Sequence, residues 1–247
     1  MSRSMSSSRL GRFCAATVAV CSVAACGTVA PPAAADGSYV IEQLQAMNEI
    51  RNGARYFADI TELLDNTRFE VAGSPAIPLT DAVVVGRVAA VEPGAGFRVE
   101  GEDAPGGIQV DFEDDRALWH TVHVQVDVDQ VVSGDAIEGT TVTVGFALGT
   151  PETFDEMADG FLAMGDLLLF LLGGSPVFEY DPAIYATMDD GALLALVDAK
   201  ERITLPVLDD FQSATMTDPA PTVQELRRAA AAPVRVVRVD GSGVRLP

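Results

Sequence analysis

The sequence predicts a mainly β protein, a small barrel or sandwich of five or more strands with short flanking helices. Residues 119–134, "WHTVHVQVDVDQVVSG", alternate between apolar and polar side chains, the pattern of a strand with one buried and one wet face. Residues 81–93 are rich in β-branched side chains and end at turn formers. Residues 166–172, "DLLLFLL", are apolar enough for a strand that is buried on both faces. These three stretches predict the fold class.

The segment before the first of these strands, residues 39–80, is predicted to be a helical lead-in. Apolar residues recur at helical spacing after Ser38, which can cap a helix. Asp59 followed by Glu62 is typical of a second helix start.

The β-rich domain is predicted to span residues 81–210, and residues 211–247 are predicted to be a C-terminal helix and tail. Within the domain, "TTVTVGFAL" is a further strand, "ETFDEMADGF" a short helix or loop, and "ALLALVD" with "RITLPVL" a last β pair. Thr222 with Glu225 predicts the start of the C-terminal helix, and Pro233 predicts its end.

Residues 1–25 have the features of a secretory signal peptide. Three arginines precede an apolar run that is shorter than the roughly 20 residues of a membrane span. Residues 23–26, "VAAC", resemble the lipobox of bacterial lipoproteins, in which a diacylglycerol is attached to the cysteine thiol and the signal peptide is cut off just before it. The resemblance implies lipid attachment at Cys26, followed by a Pro- and Ala-rich tether over residues 26–38. Ordinary cleavage after Ala35, which would release a soluble protein, is the alternative.

The charge distribution excludes one large class of partner. The chain has a formal net charge of −20, and residues 117–199 contain fourteen Asp and Glu but no Lys or Arg. Such a surface repels phosphate backbones, so we predict no nucleic-acid partner. The sequence has no Gly-rich phosphate loop, and we assign no cofactor.

A second resemblance covers residues 81–198. The segments "DAVVVGRV", "VDQVVSG", "TVTV" and "GDLLLFLL" are similar in order to exported domains of the OB-fold, netrin or metalloproteinase-inhibitor type, where a Gly-Asp pair precedes the central strand as Gly165 and Asp166 do here. This resemblance implies an OB-like barrel. The inhibitors chelate a metal through a free N-terminal cysteine, whereas Cys26 would be acylated, so protease inhibition is not implied.

The two histidines of the chain, His120 and His123, both fall on the alternating strand. Residues three apart on a strand point to opposite faces, so a shared zinc ion is not predicted. We expect His120 to point inward and to be satisfied by a nearby carbonyl, and His123 to point outward. The chain has no G-x-S-x-G motif, and only His123 is placed to act as a catalytic base.

The acidic residues allow a metal site or a solvated rim. Asp127 and Asp129 are about 7 Å apart on the wet face of the predicted strand, beside Gln125. "DFEDD", residues 111–115, could supply further oxygens for a calcium ion, although the pattern is not an EF-hand. The single Trp119 either covers one end of the barrel or lines a ligand groove.

The sequence thus predicts a lipoprotein anchored to the extracytoplasmic face of the cell membrane through Cys26. Its expected role is a non-catalytic binding or accessory module whose envelope protein or ligand stays open. An envelope hydrolase that uses acidic residues, or a calcium-stabilised structural domain, are the alternatives. Five arginines near the C-terminus either contact anionic lipid headgroups or lie against the acidic body: Arg227, Arg228, Arg235, Arg238 and Arg245.

Overall fold

The computed structural model describes residues 37–51, 59–71, 73–98, 108–149, 153–173, 183–208, 216–217 and 221–240. All of them belong to one unit, residues 34–247. The predicted signal peptide, Cys26, nearly all of the predicted tether and Arg245 lie outside the described residues.

The elements follow the predicted order, with additional short strands. The α-helices are α1 (Ser38–Arg51), α2 (Phe154–Ala163) and α3 (Val223–Ala230), and 3-10 helices span Ile60–Leu63 and Met188–Gly191. The strands are β1 (Thr67–Val71), β2 (Ile77–Pro78), β3 (Ala82–Arg98), β4 (Ile108–Val110), β5 (Trp119–Gly134), β6 (Thr141–Leu148), β7 (Asp166–Gly173), β8 (Ile184–Thr187), β9 (Ala195–Val197), β10 (Ile203–Thr204) and β11 (Arg235–Val239).

Five strands close into a barrel in the order β3-β5-β6-β8-β7, and β7 pairs back onto β3. Neighbouring strands are antiparallel except β6 and β8, which are parallel. Strand β4 extends the sheet beside the end of β3, and the hairpin β9–β10 extends it beside β7. The prediction of a mainly β fold, a small OB-like barrel or sandwich of five or more strands with short flanking helices, is confirmed.

Strand β5 carries the alternation on which the fold prediction rested. Its four inward valines, at positions 122, 124, 126 and 128, are buried in the core, and His120 beside them is buried as well. Thr121 departs from the pattern, because it was expected on the wet face but is buried. Its Oγ1 accepts a 2.9 Å hydrogen bond from the backbone N–H of Ala95, and this bond satisfies the buried hydroxyl.

A separate three-stranded sheet, β11-β1-β2, pairs strands from the two ends of the domain. β1 and β11 are parallel, with Thr67 beside Arg235 and Val71 beside Val239. The sequence prediction missed this sheet, since it described residues 39–80 as helical only and residues after 233 as a tail. Each of these strands is at most five residues long, which leaves little pattern to detect before the partner is known.

The helices cover the barrel, and the predicted caps at Asp59 and Thr222 are present. The Asp59 side chain accepts a hydrogen bond from the Thr61 N–H at the start of the first 3-10 helix. Thr222 and Glu225 form a reciprocal capping box at the start of α3. α2, between β6 and β7, buries Phe161, whose ring centroid lies 5.1 Å from that of Phe146.

Candidate functional site

The loop between β4 and β5, residues 111–118, forms an acidic surface at one end of the barrel. The Leu118 N–H donates to the Phe97 carbonyl over 2.7 Å, which ties the loop to the end of β3. Gly96 permits this close approach, because a Cβ there would lie 2.8 Å from the Asp111 carbonyl oxygen. A shallow pocket of about 560 Å³ opens here, lined by Asp111, Glu113, Asp114, Asp115 and Arg116. We call this loop and its pocket the acidic end.

One ion pair holds the shape of the acidic end. Arg116 donates from Nε to Oδ1 of Asp114 over 2.9 Å and from Nη2 to Oδ2 over 2.6 Å. The Arg116 backbone N–H also donates to Oδ1 at 2.9 Å. The side-chain hydrogen bonds from Arg116, followed by this backbone bond, hold the pKa of Asp114 well below its ordinary value. Asp114 is therefore a structural carboxylate and stays ionised.

Three carboxylates of the acidic end remain available. Asp111, Glu113 and Asp115 are exposed, and none of them is ion-paired within the part of the chain that the structure describes. With Asp114 neutralised by Arg116, the loop presents about three negative charges to solvent. Such a rim attracts cations over roughly the Debye length, about 8 Å at physiological ionic strength.

Aromatic and apolar side chains occur in the same loop and at the start of β5. The rings of Trp119 and Phe97 are stacked 3.9 Å apart with an interplanar angle of 3°. Phe112 anchors the loop from within, because its ring lies 4.8 Å from that of His120 and 5.6 Å from that of Phe154. Leu118 in contrast points outward and is 62% exposed. The sequence prediction named residues 111–115 and Trp119 but missed Arg116 and Leu118, whose signal is the unbroken run "DFEDDRALW".

The carboxylates considered as alternative calcium ligands do not come together. Thr141 donates to Asp127 across 2.6 Å, and Gln125 donates to Glu92 across 3.0 Å. Asp129 lies 3.9 Å from Arg87. Among the described residues, no three carboxylates, histidines or cysteines are grouped so as to hold a metal ion. The strand carboxylates are thus matched by cross-strand partners, and the hypothesis that they share a cation with residues 111–115 finds no support.

The two histidines lie as predicted with respect to the barrel wall. His120 is buried and His123 is half-exposed on the other face of β5. We expected a carbonyl group to accept a hydrogen bond from His120. This prediction is wrong for one ring nitrogen, because Nδ1 is buried without a hydrogen bond. Its environment is aromatic, with Phe112 against the ring.

The lowered pKa values of three carboxyl groups, Asp114, Asp198 and Glu225, indicate structural roles for these three residues. Hydrogen bonds from the backbone N–H and side chain of Arg202 lower the pKa of Asp198 to about 2. Hydrogen bonds from the backbone and side chain of Thr222 lower the pKa of Glu225. A carboxyl group that acts as a general acid near neutral pH needs a raised pKa. The shifts at Asp114, Asp198 and Glu225 all run in the opposite direction.

The C-terminal arginines form a second charged region. Arg235 donates from Nε to Thr67 Oγ1 at 2.9 Å and from Nη2 to Thr61 Oγ1 at 3.0 Å. Arg238 lies 3.5 Å from Glu70 on the neighbouring strand.

Within the described ranges, no helix is both long enough and apolar enough to cross a bilayer. Comparison with protein-family models, with curated proteins and with solved structures gave no significant match to this chain.

Proposed function

We propose that this chain is a lipid-anchored, non-catalytic binding module on the extracytoplasmic face of the cell membrane. The signal peptide and the "VAAC" stretch ending at Cys26 support the anchor. The OB-type barrel supports the binding role, because such barrels use one open face and its loops for ligands. The lowered pKa values of its shifted carboxyls do not favour the hydrolase alternative.

The acidic end is the surface that we assign to the ligand, and a cationic peptide segment with an apolar side chain is the ligand class. The observation that carries this assignment is the exposed Leu118 beside three available carboxylates and the stacked Trp119. Exposed ion pairs contribute only about 0–1 kcal/mol each, so the carboxylates supply attraction and selectivity. Burial of an apolar side chain against Leu118 would add about 1.5–3 kcal/mol.

Trp119 gives this proposal a direct test, because it is the single tryptophan of the chain and lies at the acidic end. The mature acylated protein, in detergent, is titrated with a leucine-containing oligolysine peptide while tryptophan emission is recorded. We expect a saturable change that weakens as salt is raised. The same peptide with glutamate in place of lysine should give no change.

A charge-matched pair of variants separates the site from the net charge of the protein. The triple variant Asp111→Asn, Glu113→Gln, Asp115→Asn should weaken peptide binding at least tenfold. The control Glu42→Gln, Asp159→Asn, Glu201→Gln removes three exposed carboxylates elsewhere and should leave binding nearly unchanged. Equal losses in both variants would contradict the assignment, since binding would then follow total charge alone.

The anchor is tested by the intact mass of the protein from its membrane fraction. A mass equal to residues 26–247 plus a diacylglycerol, together with an unprocessed Cys26→Ala variant, is the expected result. A mature chain that starts at Asp36 without lipid would refute the lipobox and make the protein a freely secreted domain.

A further inference from the structure

Three neighbouring elements of the fold carry a net positive charge, opposite in sign to the net charge of the whole chain. β1, α3 and β11 together carry five arginines and two glutamates, a formal charge of +3, whereas the whole chain carries −20. The elements are joined directly, because the Asn66 side chain donates to the carbonyls of Ala229 and Ala232 at the end of α3. The Arg235 N–H in turn donates to the Asn66 carbonyl over 2.9 Å.

The outer face of the small sheet combines this charge with exposed apolar side chains. Successive residues of a strand point to opposite faces, and Phe69 and Val239 mark the buried one. On the other face Val236 is 49% exposed and lies beside Arg68 in register. We call the following exposed residues of β1, α3, β11 and the chain just before β11 the basic face: Arg68, Arg227, Arg228, Val234, Val236 and Arg238.

Most of the arginine charge in this region is not neutralised. Within the described ranges, Arg238 is ion-paired with Glu70, whereas no carboxylate is paired with Arg68 or Arg227. Arg235 donates to two threonine hydroxyls, which leave its charge uncompensated. A mixture of free guanidinium groups and exposed valines is the composition of a surface that meets anionic headgroups at a lipid interface.

The basic face and the acidic end are at opposite ends of strand β5. The acidic end precedes Trp119, the first residue of β5, whereas the Asp65 N–H, two residues before β1, lies 3.5 Å from the Ser133 hydroxyl at the far end of that strand. Ser133 is fourteen residues after Trp119, a path of about 46 Å along β5. The acidic end and the small sheet are therefore joined to different ends of this strand.

We propose that the basic face lies on the anionic headgroups of the membrane to which Cys26 is attached, so that the acidic end projects away from the bilayer. The proposal rests on the lipid anchor of the proposed function. Residues 26–36 can span at most about 36–40 Å, which allows the domain to lie down on the surface. Orientation then follows from charge, because an anionic surface attracts the basic face and repels the acidic end.

Site-specific fluorescence tests this orientation in the full mature protein. With Cys26 acylated, Val236→Cys and Leu118→Cys each provide a single thiol for an environment-sensitive nitrobenzoxadiazole label. The acylated proteins are reconstituted in vesicles of neutral lipid or of neutral lipid with 30% phosphatidylglycerol. We expect the label at position 236 to shift to the blue only in the anionic vesicles and to be quenched by a lipid-borne quencher. The label at position 118 should report water in both.

Charge variants make the result quantitative. Arg68→Gln and Arg227→Gln should each lower the ratio of docked to undocked molecules about fivefold, and about 25-fold together. Arg87→Gln on the barrel wall is the control and should leave this ratio unchanged, because Arg87 is paired with Asp166.

Two outcomes would overturn the proposal. The protein could float with the vesicles while both labels report water, which leaves the anchor intact and refutes the docking. Alternatively, soluble dextran sulfate could produce the same shift at position 236 as the vesicles, which would make the partner a free polyanion. Failure to float at all would instead refute the lipid anchor, so the two proposals fail separately.

Discussion

The barrel and the three-stranded sheet use strands in different ways. Strands β3 and β5 of the barrel are 17 and 16 residues long and bury whole rows of valine. In the small sheet β1 and β11 have five residues each and leave Val236 and Arg68 exposed. The barrel is stabilised by apolar burial on its inner face, whereas the small sheet depends on hydrogen bonds to α3 and to the first 3-10 helix. Stability is thus concentrated in the barrel.

The largest expected effect is in the barrel core. Phe146→Ala removes a fully buried ring that packs against Phe161 and should lower the free energy of unfolding by about 3–5 kcal/mol. Urea denaturation followed by circular dichroism measures the loss. Ile137→Ala, at a side chain that is 67% exposed, is the control and should change stability by less than about 0.5 kcal/mol. A small loss at Phe146 would show that the core is not the main source of stability.

A smaller and more local effect is expected in the three-stranded sheet. Asn66→Ala removes two hydrogen bonds to carbonyls at the end of α3 and should cost about 1–2 kcal/mol. Hydrogen exchange should accelerate in α3 and β11 but not in β5, because the sheet opens without the barrel. Gln45→Ala, which removes a bond to the Pro206 carbonyl, should leave the exchange of α3 and β11 unchanged. Equal acceleration in β5 would mean that the two regions unfold together.

Asp198, in the turn between β9 and β10 at the side of the barrel, makes the stability of the folded protein depend on pH. The folded pKa of Asp198 is about 2, below the ordinary value of 3.8, so its stabilising contribution is complete above about pH 4 and is lost as pH falls toward 2. Asp198→Asn should therefore lower the melting temperature slightly at pH 7 and flatten its decrease between pH 4 and 2. The pKa of Asp114 is also lowered in the folded protein, so Asp114 likewise stabilises the fold above acidic pH. This contribution remains in the Asp198→Asn variant. An unchanged slope would assign the acid sensitivity to other groups.

The smallest effect is expected at Glu201 in the same hairpin. Its φ of +60° lies in the left-handed region, which is unfavourable for residues with a Cβ. Glu201→Gly should raise the free energy of unfolding by about 0.5 kcal/mol, since relief of this conformation outweighs the greater flexibility of glycine. Ala199→Gly in the same turn has no such strain to relieve and should lower stability. Calorimetry of both variants decides the sign.

The sequence predicts those parts of the fold whose pattern is local. The alternation in β5 and the apolar run of β7 each identify a strand without knowledge of its partner. By contrast, "TRFEV" and "RVVRV" become strands only because they pair with each other across 168 residues. The hydroxyl of Thr121 is buried for a similar reason, since a backbone group of β3 satisfies it. These two strands and the burial of Thr121 depend on partners that are distant in sequence. The periodicity of a single segment does not identify such partners.

In the candidate site, too, the sequence predicts some features and not others. The acidic composition of residues 111–115 is visible in the sequence, whereas the alternative of a calcium cluster with Asp127 and Asp129 is not formed among the described residues. Each of these strand carboxylates has a partner on a neighbouring strand, Thr141 in one case and Arg87 in the other. Which carboxylates remain available is a property of strand register, and register follows from the closed barrel.

The parallel pairing of β1 with β11 also determines when the domain can be completed. β1 leaves the ribosome early, but its partner is the last strand that the structure describes, so β1 cannot acquire that neighbour until residues 235–239 have been synthesised. Because this pairing joins residues 67–71 to residues 235–239, the small sheet closes late, and a chain truncated before residue 235 would leave Phe69 on an unpaired edge.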